Sequence, residues 1–97
     1  MANYVVLGNF TAEGIKGIKN GPAMRQGAEQ AITSRGGRII WQGLTLGQYD
    51  FVAVVDMPGD EQLLEVAFLQ GMSGMVRTQT LKAFTVEQVD AVAARLP

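Results

Sequence analysis

Two short segments are apolar on both of the faces that a β-strand presents, and few folds accommodate such segments. They are residues 4–10 and residues 49–56. Both are rich in β-branched and aromatic side chains and too short for a stable helix, so each is predicted to be a strand. A strand that is apolar on both sides lies in the centre of a sheet that is covered on both faces. We therefore predict two central strands.

Glycine, proline and helical spacing predict the elements between and around these strands. Residues 11–21 are rich in glycine and predict a connecting loop. A helix is predicted from Pro22 to the Gly36-Gly37 pair, with Met24, Ala28 and Ile32 on its inner face and Arg25 on the other side. Further elements are predicted as a strand at 38–46, a helix at 60–72, a more polar strand at 75–84 and a short helix at 85–96, which opens with a capping box.

The predicted order, β-α-β-β-α-β with a terminal helix, is that of the ferredoxin-like α+β fold with an antiparallel sheet. In this fold the first and third strands are central and the other two are edges. The two segments that are apolar on both faces are the first and third strands, and the fourth strand is the most polar. At 97 residues the chain is predicted to form one domain over residues 1–97.

One face of such a sheet is covered by the two crossover helices, and the other face needs a second cover. A second copy packed face to face supplies it and forms a dimeric α/β barrel, so we expect a homodimer or a higher homo-oligomer. The alternative is that the C-terminal helix covers this face within its own chain.

The composition excludes several kinds of site. The chain has no histidine and no cysteine, so disulfides, zinc sites built on those residues, thiol nucleophiles and Ser-His-Asp triads are excluded. The carboxylates are scattered, and no metal site or cofactor is expected. A formal charge of −1 predicts no nucleic-acid partner and no membrane partner. With no signal-peptide pattern at residues 1–10, we expect a cytoplasmic protein.

Tyr49 and Asp50 are the first candidates for chemistry. Asp50 would act as a general base and Tyr49 as a hydrogen-bond donor to an oxyanion. Alternatively, Asp50 caps the turn at Gly47 and Gln48, and Tyr49 packs across the strands. Strand alternation predicts that Tyr49 and Asp50 point to opposite faces.

Other candidates are suited to binding a ligand. Thr11 and Lys16 lie in a segment, residues 11–19, that could hold an anion with glycine-freed amides and lysine charges, although it lacks the P-loop pattern. The alternative is a plain connection with solvated lysines. Trp41 and Arg77 could stack on or pair with an aromatic acid, or Trp41 could anchor an interface.

Three stretches of the chain resemble the GYD domain family. They are residues 11–16, the Gly47-Gln48-Tyr49-Asp50 sequence, in which Gln48 separates the glycine from the tyrosine, and residues 74–85. The resemblance covers about residues 3–85. It implies a small bacterial, cytoplasmic protein with a ferredoxin-like fold that pairs as a dimeric α/β barrel. It implies no particular activity.

Two functions remain as hypotheses. The first is a homodimeric domain that binds a small molecule or a partner, with Thr11, Lys16, Trp41 and Tyr49 as ligand-binding candidates. The alternative is a cofactor-independent oxygenase or isomerase that acts on a small organic substrate through Tyr49 or Asp50 and a positive group such as Arg77. An enzyme of that kind needs an enclosed pocket with a polar group in it.

Overall fold

Four antiparallel strands form one sheet in a computed structural model that describes residues 1–97. The strands are β1 (Ala2–Phe10), β2 (Arg38–Leu44), β3 (Phe51–Met57) and β4 (Val76–Ala83). Their spatial order is β2-β3-β1-β4. The two segments that are apolar on both faces therefore lie in the centre, as their sequences predict, and the ferredoxin-like arrangement is confirmed.

Two long helices pack on one face of this sheet. The helices are α1 (Ala12–Lys16), α2 (Gly21–Thr33), α3 (Asp60–Met72) and α4 (Val86–Ala93), and a 3-10 turn spans Ile18–Asn20. Residues of α2 and α3 form the hydrophobic core with the sheet: Tyr4, Ile32, Val55, Met57, Leu63 and Val66. Because Tyr4 pairs with Val55 in the register, this core lies toward the end of the sheet where β1 begins.

The prediction of a loop over residues 11–21 is wrong, because α1 and the 3-10 turn occupy this segment. Thr11 caps α1: its hydroxyl accepts the Gly14 amide at 3.1 Å and donates to the Gly74 carbonyl at 2.6 Å. Gly14 is buried, and a Cβ at this position would overlap the carbonyl oxygen of Met75. The glycine is therefore needed for close approach of two backbones rather than for flexibility.

The sheet face opposite α2 and α3 has no helix over it, and we call it the open face. Its apolar centre comes from all four strands: Val5, Leu7, Trp41, Val52, Val54 and Leu81. A bulge at Ile40 shifts the register between Ile39 and Trp41. Ile39 therefore faces the helices, while Trp41 lies on the open face with 55% of its surface exposed.

The C-terminal helix does not cover the open face, so that alternative is wrong. Every residue of α4 is exposed, and Val86 keeps 72% of its surface accessible. Thr85 and Gln88 form the predicted capping box, which stabilises the start of the helix. The radius of gyration is 14.8 Å, above the value of about 12.5 Å for a compact chain of this length. The chain is thus elongated.

The outer surface of α3 is also apolar. Leu63 and Val66 face the sheet, whereas Leu64, Phe68 and Met72 are exposed, with 63% of Phe68 and 80% of Met72 accessible. These three side chains follow one another at intervals of four residues and form the α3 outer stripe. Helical periodicity predicts the helix correctly but does not predict that it is apolar on both sides.

Candidate functional site

The segment that carries the family-like glycine, tyrosine and aspartate is an ordered loop rather than the start of a strand. β3 begins at Phe51, so the prediction that Tyr49 opens this strand is wrong, and strand alternation does not apply to Tyr49 and Asp50. The loop is closed by Thr45, whose hydroxyl donates to the Tyr49 carbonyl at 2.6 Å. Gly47 takes a φ of 123°, which favours glycine.

Asp50 clamps the end of β1. Its carboxylate accepts the Phe10 amide at 2.9 Å, and its own amide donates to the Gly8 carbonyl at 2.8 Å. The side chain therefore bonds a backbone amide 40 residues away and not the turn at Gly47 and Gln48. A carboxylate that already holds a structural amide is poorly placed to take a proton from a substrate.

Tyr49 crosses toward β4. Its hydroxyl donates to Gln79 Oε1 at 2.8 Å. Arg77 lies two residues before Gln79 on the same strand, so both point to the open face. The structure thus brings Tyr49 and Arg77 to one face, while the Asp50 carboxylate is directed to the Phe10 amide.

The candidates Thr11 and Lys16 lie in α1, apart from the other candidates. The Thr11 hydroxyl is engaged as the helix cap described above. Lys16 is exposed and lies 3.8 Å from Glu13 in an ion pair within the same helix. The Gly14 and Gly17 amides also bond within this segment, to Thr11 and to the Gly14 carbonyl. The amides that an anion loop would use are therefore engaged.

Trp41 lies on the open face, which carries charged residues at one end. The indole lies over Gly43, where a Cβ would come within 2.8 Å of the ring. At one end of the same face, Arg38 pairs across the strands with the largely buried carboxylate of Asp56 at 3.1 Å. An exposed aromatic ring next to an apolar centre with a polar rim has the composition of an interface.

A cavity of about 330 Å³ lies between the sheet and the helices α2 and α3. None of the six candidates named above lines it. Its walls include Phe10 and Phe51, whose ring centroids are 5.5 Å apart. The end of the Phe51 ring lies over Gly8, where any Cβ would overlap it. The Phe51 ring therefore lies against the sheet and does not fill the cavity.

Sequence reasoning missed this cavity, although small residues signalled it. Gly21, Ala28 and Ala53 line it from α2 and β3, and small side chains between a sheet and a helix leave volume unfilled. Arg25 also lines it, whereas helical periodicity places that residue on the solvent side of α2. A long side chain can reach around a helix, which a residue-by-residue face assignment does not capture.

A hydrogen-bonded cluster joins α3 to the end of the sheet where β1 begins. The hydroxyl of Tyr4, which is 3% exposed, donates to Asp60 at the start of α3, and Lys82 Nζ lies 3.1 Å from the same carboxylate. Burial, aided by the bond to Asp60, raises the pKa of Tyr4 to about 12. The hydrogen bonds from Tyr4 and Lys82 lower the pKa of Asp60.

The Tyr4 hydroxyl is expected to make stability depend on alkaline pH. Because folding raises the Tyr4 pKa from 10.0 to about 12, its contribution is present below pH 10 and is lost as the pH rises toward 12. Tyr4→Phe should cost about 1 kcal/mol at neutral pH and should flatten the alkaline loss. Urea unfolding of the unmodified protein and of Tyr4→Phe between about pH 7 and pH 11.5 measures the slope of the free energy of unfolding against pH. An unchanged slope in Tyr4→Phe would contradict it.

The sheet order and the two crossover helices define a ferredoxin-like α+β protein. Its most exposed features are apolar surfaces, and the candidate residues do not form an acid–base pair. The model of the GYD domain family matches residues 4–93, and the chain belongs to this family. The predicted resemblance is thereby confirmed over nearly the whole chain.

Two known proteins are similar to this chain. One is the glutamine synthetase and cystathionine beta-lyase binding protein of Thermus thermophilus, 28% identical over 92 residues that cover 94% of this chain and 97% of the relative. The other is the crystal structure of 30S ribosomal protein S6 from Thermotoga maritima, at 16% identity and a TM-score of 0.55, covering 97% and 98% of the two chains. The second likeness supports the fold alone. No helix has the length and apolar character needed to cross a membrane.

Proposed function

We propose that the protein is a homodimeric, non-enzymatic domain that binds protein partners. The observation that carries this proposal is the uncovered apolar centre of the open face, on which no element of the same chain packs. A second copy is the occupant that this face fits. In an isologous contact, the apolar centre of one copy would pack on that of the other. Arg38 and Asp56 of each copy would then lie near the other copy.

The accessible surface area of the chain supports the proposed dimer. One chain exposes 6628 Å², whereas a compact monomer of 10.4 kDa exposes about 5,400 Å². The excess of about 1,200 Å² exceeds the roughly 800 Å² that each partner buries in an interface of standard size. This excess of exposed surface supports the proposed dimer.

The C-terminal helix supports the same assembly. α4 has eight residues, and a helix shorter than about 12 residues is marginal in water without packing. Its apolar residues Val86, Val89 and Val92 are all exposed and recur at three-residue intervals. A second protomer would give this stripe a surface to pack on and would do so twice by symmetry.

The α3 outer stripe is the proposed site for a different protein. It lies on the helix side of the molecule, so it stays accessible when two open faces pack together. The relative that covers nearly the whole chain is named as a binding protein for two enzymes, and an exposed stripe with an aromatic residue at its centre suits such a contact. We propose a metabolic enzyme as the partner class, with glutamine synthetase as the first to test, and a cytoplasmic location.

Two matched substitutions are expected to separate the two surfaces. Val54→Glu places a charge in the centre of the open face and should yield a monomer at micromolar concentration, because a desolvated, unpaired carboxylate opposes pairing. Phe68→Glu should leave the dimer intact and weaken binding of purified glutamine synthetase at least about tenfold. Sedimentation equilibrium measures the first effect and biolayer interferometry the second.

The conservative change Val54→Ile is the control for the dimer and should sediment as the unmodified protein does. A stable monomer of the unmodified chain at micromolar concentration would overturn the dimer. Undiminished enzyme binding by Phe68→Glu would remove the α3 outer stripe from the proposal while leaving the dimer standing.

A further inference from the structure

The cavity between the sheet and the helices α2 and α3 differs from the surfaces above in being a recess, partly open to solvent, with mostly apolar walls. Of its 21 lining residues, 15 are hydrophobic. A volume of about 330 Å³ is roughly twice that of an apolar protein cavity that holds one benzene molecule. It also lies at the lower end of the range for small-molecule sites. A body of two fused aromatic rings, or an aliphatic chain of similar volume, fits it.

One cation stands at this cavity without a partner from the chain. Arg25 is the single charged residue among the lining residues. It takes part in none of the four ion pairs of the protein. Its Nη1 atom lies 3.1 Å from the position that a Cβ of Gly21 would occupy, so the guanidinium lies over the start of α2.

The surroundings of Arg25 strengthen its preference for an anion. No acidic side chain lies in the first turn of α2, and the Asn20 side chain makes no capping bond there. The positive end of the helix dipole is therefore uncompensated beside the guanidinium. Gln42, Gln70 and Thr78 line the same cavity and offer neutral hydrogen-bonding groups, and none of the lining residues carries a carboxylate.

We propose that this cavity binds a small organic monocarboxylate, with its apolar body among the phenylalanine rings and its carboxylate on Arg25. A single arginine can pair with one carboxylate and not with two. Its planar guanidinium can donate two parallel hydrogen bonds to the two oxygens of that group. The apolar walls select an aromatic or aliphatic body over a sugar or a phosphate ester. The site lies on the helix side of the sheet and does not require the dimer.

Isothermal titration calorimetry with naphthoate and its neutral analogue naphthylmethanol tests the proposal on the full chain. The unmodified protein is expected to bind naphthoate at least about tenfold more tightly than the alcohol. Arg25→Gln should abolish that preference, because the amide keeps hydrogen-bonding capacity but lacks the charge. Arg25 is exposed, so this variant is expected to fold.

Two further variants locate the site. Ala28→Leu fills the cavity from α2 and should weaken both probes at least about tenfold, with circular dichroism confirming that it folds. Arg77→Gln removes an arginine from the open face and should leave the affinity for both probes unchanged.

The proposal is overturned if neither probe binds at millimolar concentration, if Arg25→Gln keeps the preference for the acid, or if folded Ala28→Leu binds as before. Loss of binding in Arg77→Gln would place the ligand on the open face instead. Val54→Glu should bind naphthoate normally even as a monomer, which separates this test from that of the dimer.

Discussion

Gly14→Ala is expected to destabilise the protein by about 3 kcal/mol or more. The added Cβ would overlap the carbonyl oxygen of Met75, and a backbone atom cannot rotate out of the way as a side chain can. Moving α1 away would also break the bond from the Thr11 amide to the same carbonyl, which is 3.0 Å long. The melting temperature should fall by more than about 12 °C. Thermal unfolding at a fixed protein concentration measures the loss.

The matched control is another helical glycine. Gly27 lies in α2 with nothing near its Cβ position, so Gly27→Ala should stabilise the protein by up to about 1 kcal/mol through helix propensity alone. If Gly14→Ala melted at the temperature of the unmodified protein, the close approach of α1 to the segment before β4 would be refuted.

Asp50→Ala is expected to cost about 2 kcal/mol, because the charged acceptor of the Phe10 amide is lost and β1 is released from the loop before β3. Asp50→Asn retains an oxygen acceptor and should lose less. Hydrogen exchange at the Phe10 amide gives the specific readout: protection should fall in Asp50→Ala and persist in part in Asp50→Asn.

The same pair of variants decides between the two interpretations of Asp50. A structural clamp predicts that stability and Phe10 protection change together. If Asp50→Ala left both unchanged, the carboxylate would be free for other chemistry and would return as a candidate general base.

The fold was predictable because its strongest signals are local. Residues 4–10 and 49–56 are apolar on both faces, and their central positions in the sheet follow from burial alone. The capping box at Thr85 and Gln88 likewise depends on a spacing within one turn. The loop at residues 11–21 was mispredicted because its glycine serves a contact with Met75, 61 residues away, and no local pattern records such a contact.

The candidate site was less predictable, since it depends on distant parts of the chain. The sequence offers Asp50 and Tyr49 as candidates, yet their partners Phe10 and Gln79 come from β1 and β4. Periodicity placed Arg25 on the solvent side of α2, but the start of the helix lies at the edge of the cavity and the side chain lines it.

The sequence by itself determined the order of the strands and of the longer helices, the two central strands and the absence of histidine and cysteine chemistry. These follow from residue type and short-range periodicity, which act within one element. Only the tertiary structure decided which face each aromatic side chain occupies. Strand alternation puts Ile39 and Trp41 on one face, whereas the bulge at Ile40 moves Trp41 to the open face. A bulge is fixed by pairing with the neighbouring strand, so the surface on which Trp41 lies is set by β3 and not by β2 alone.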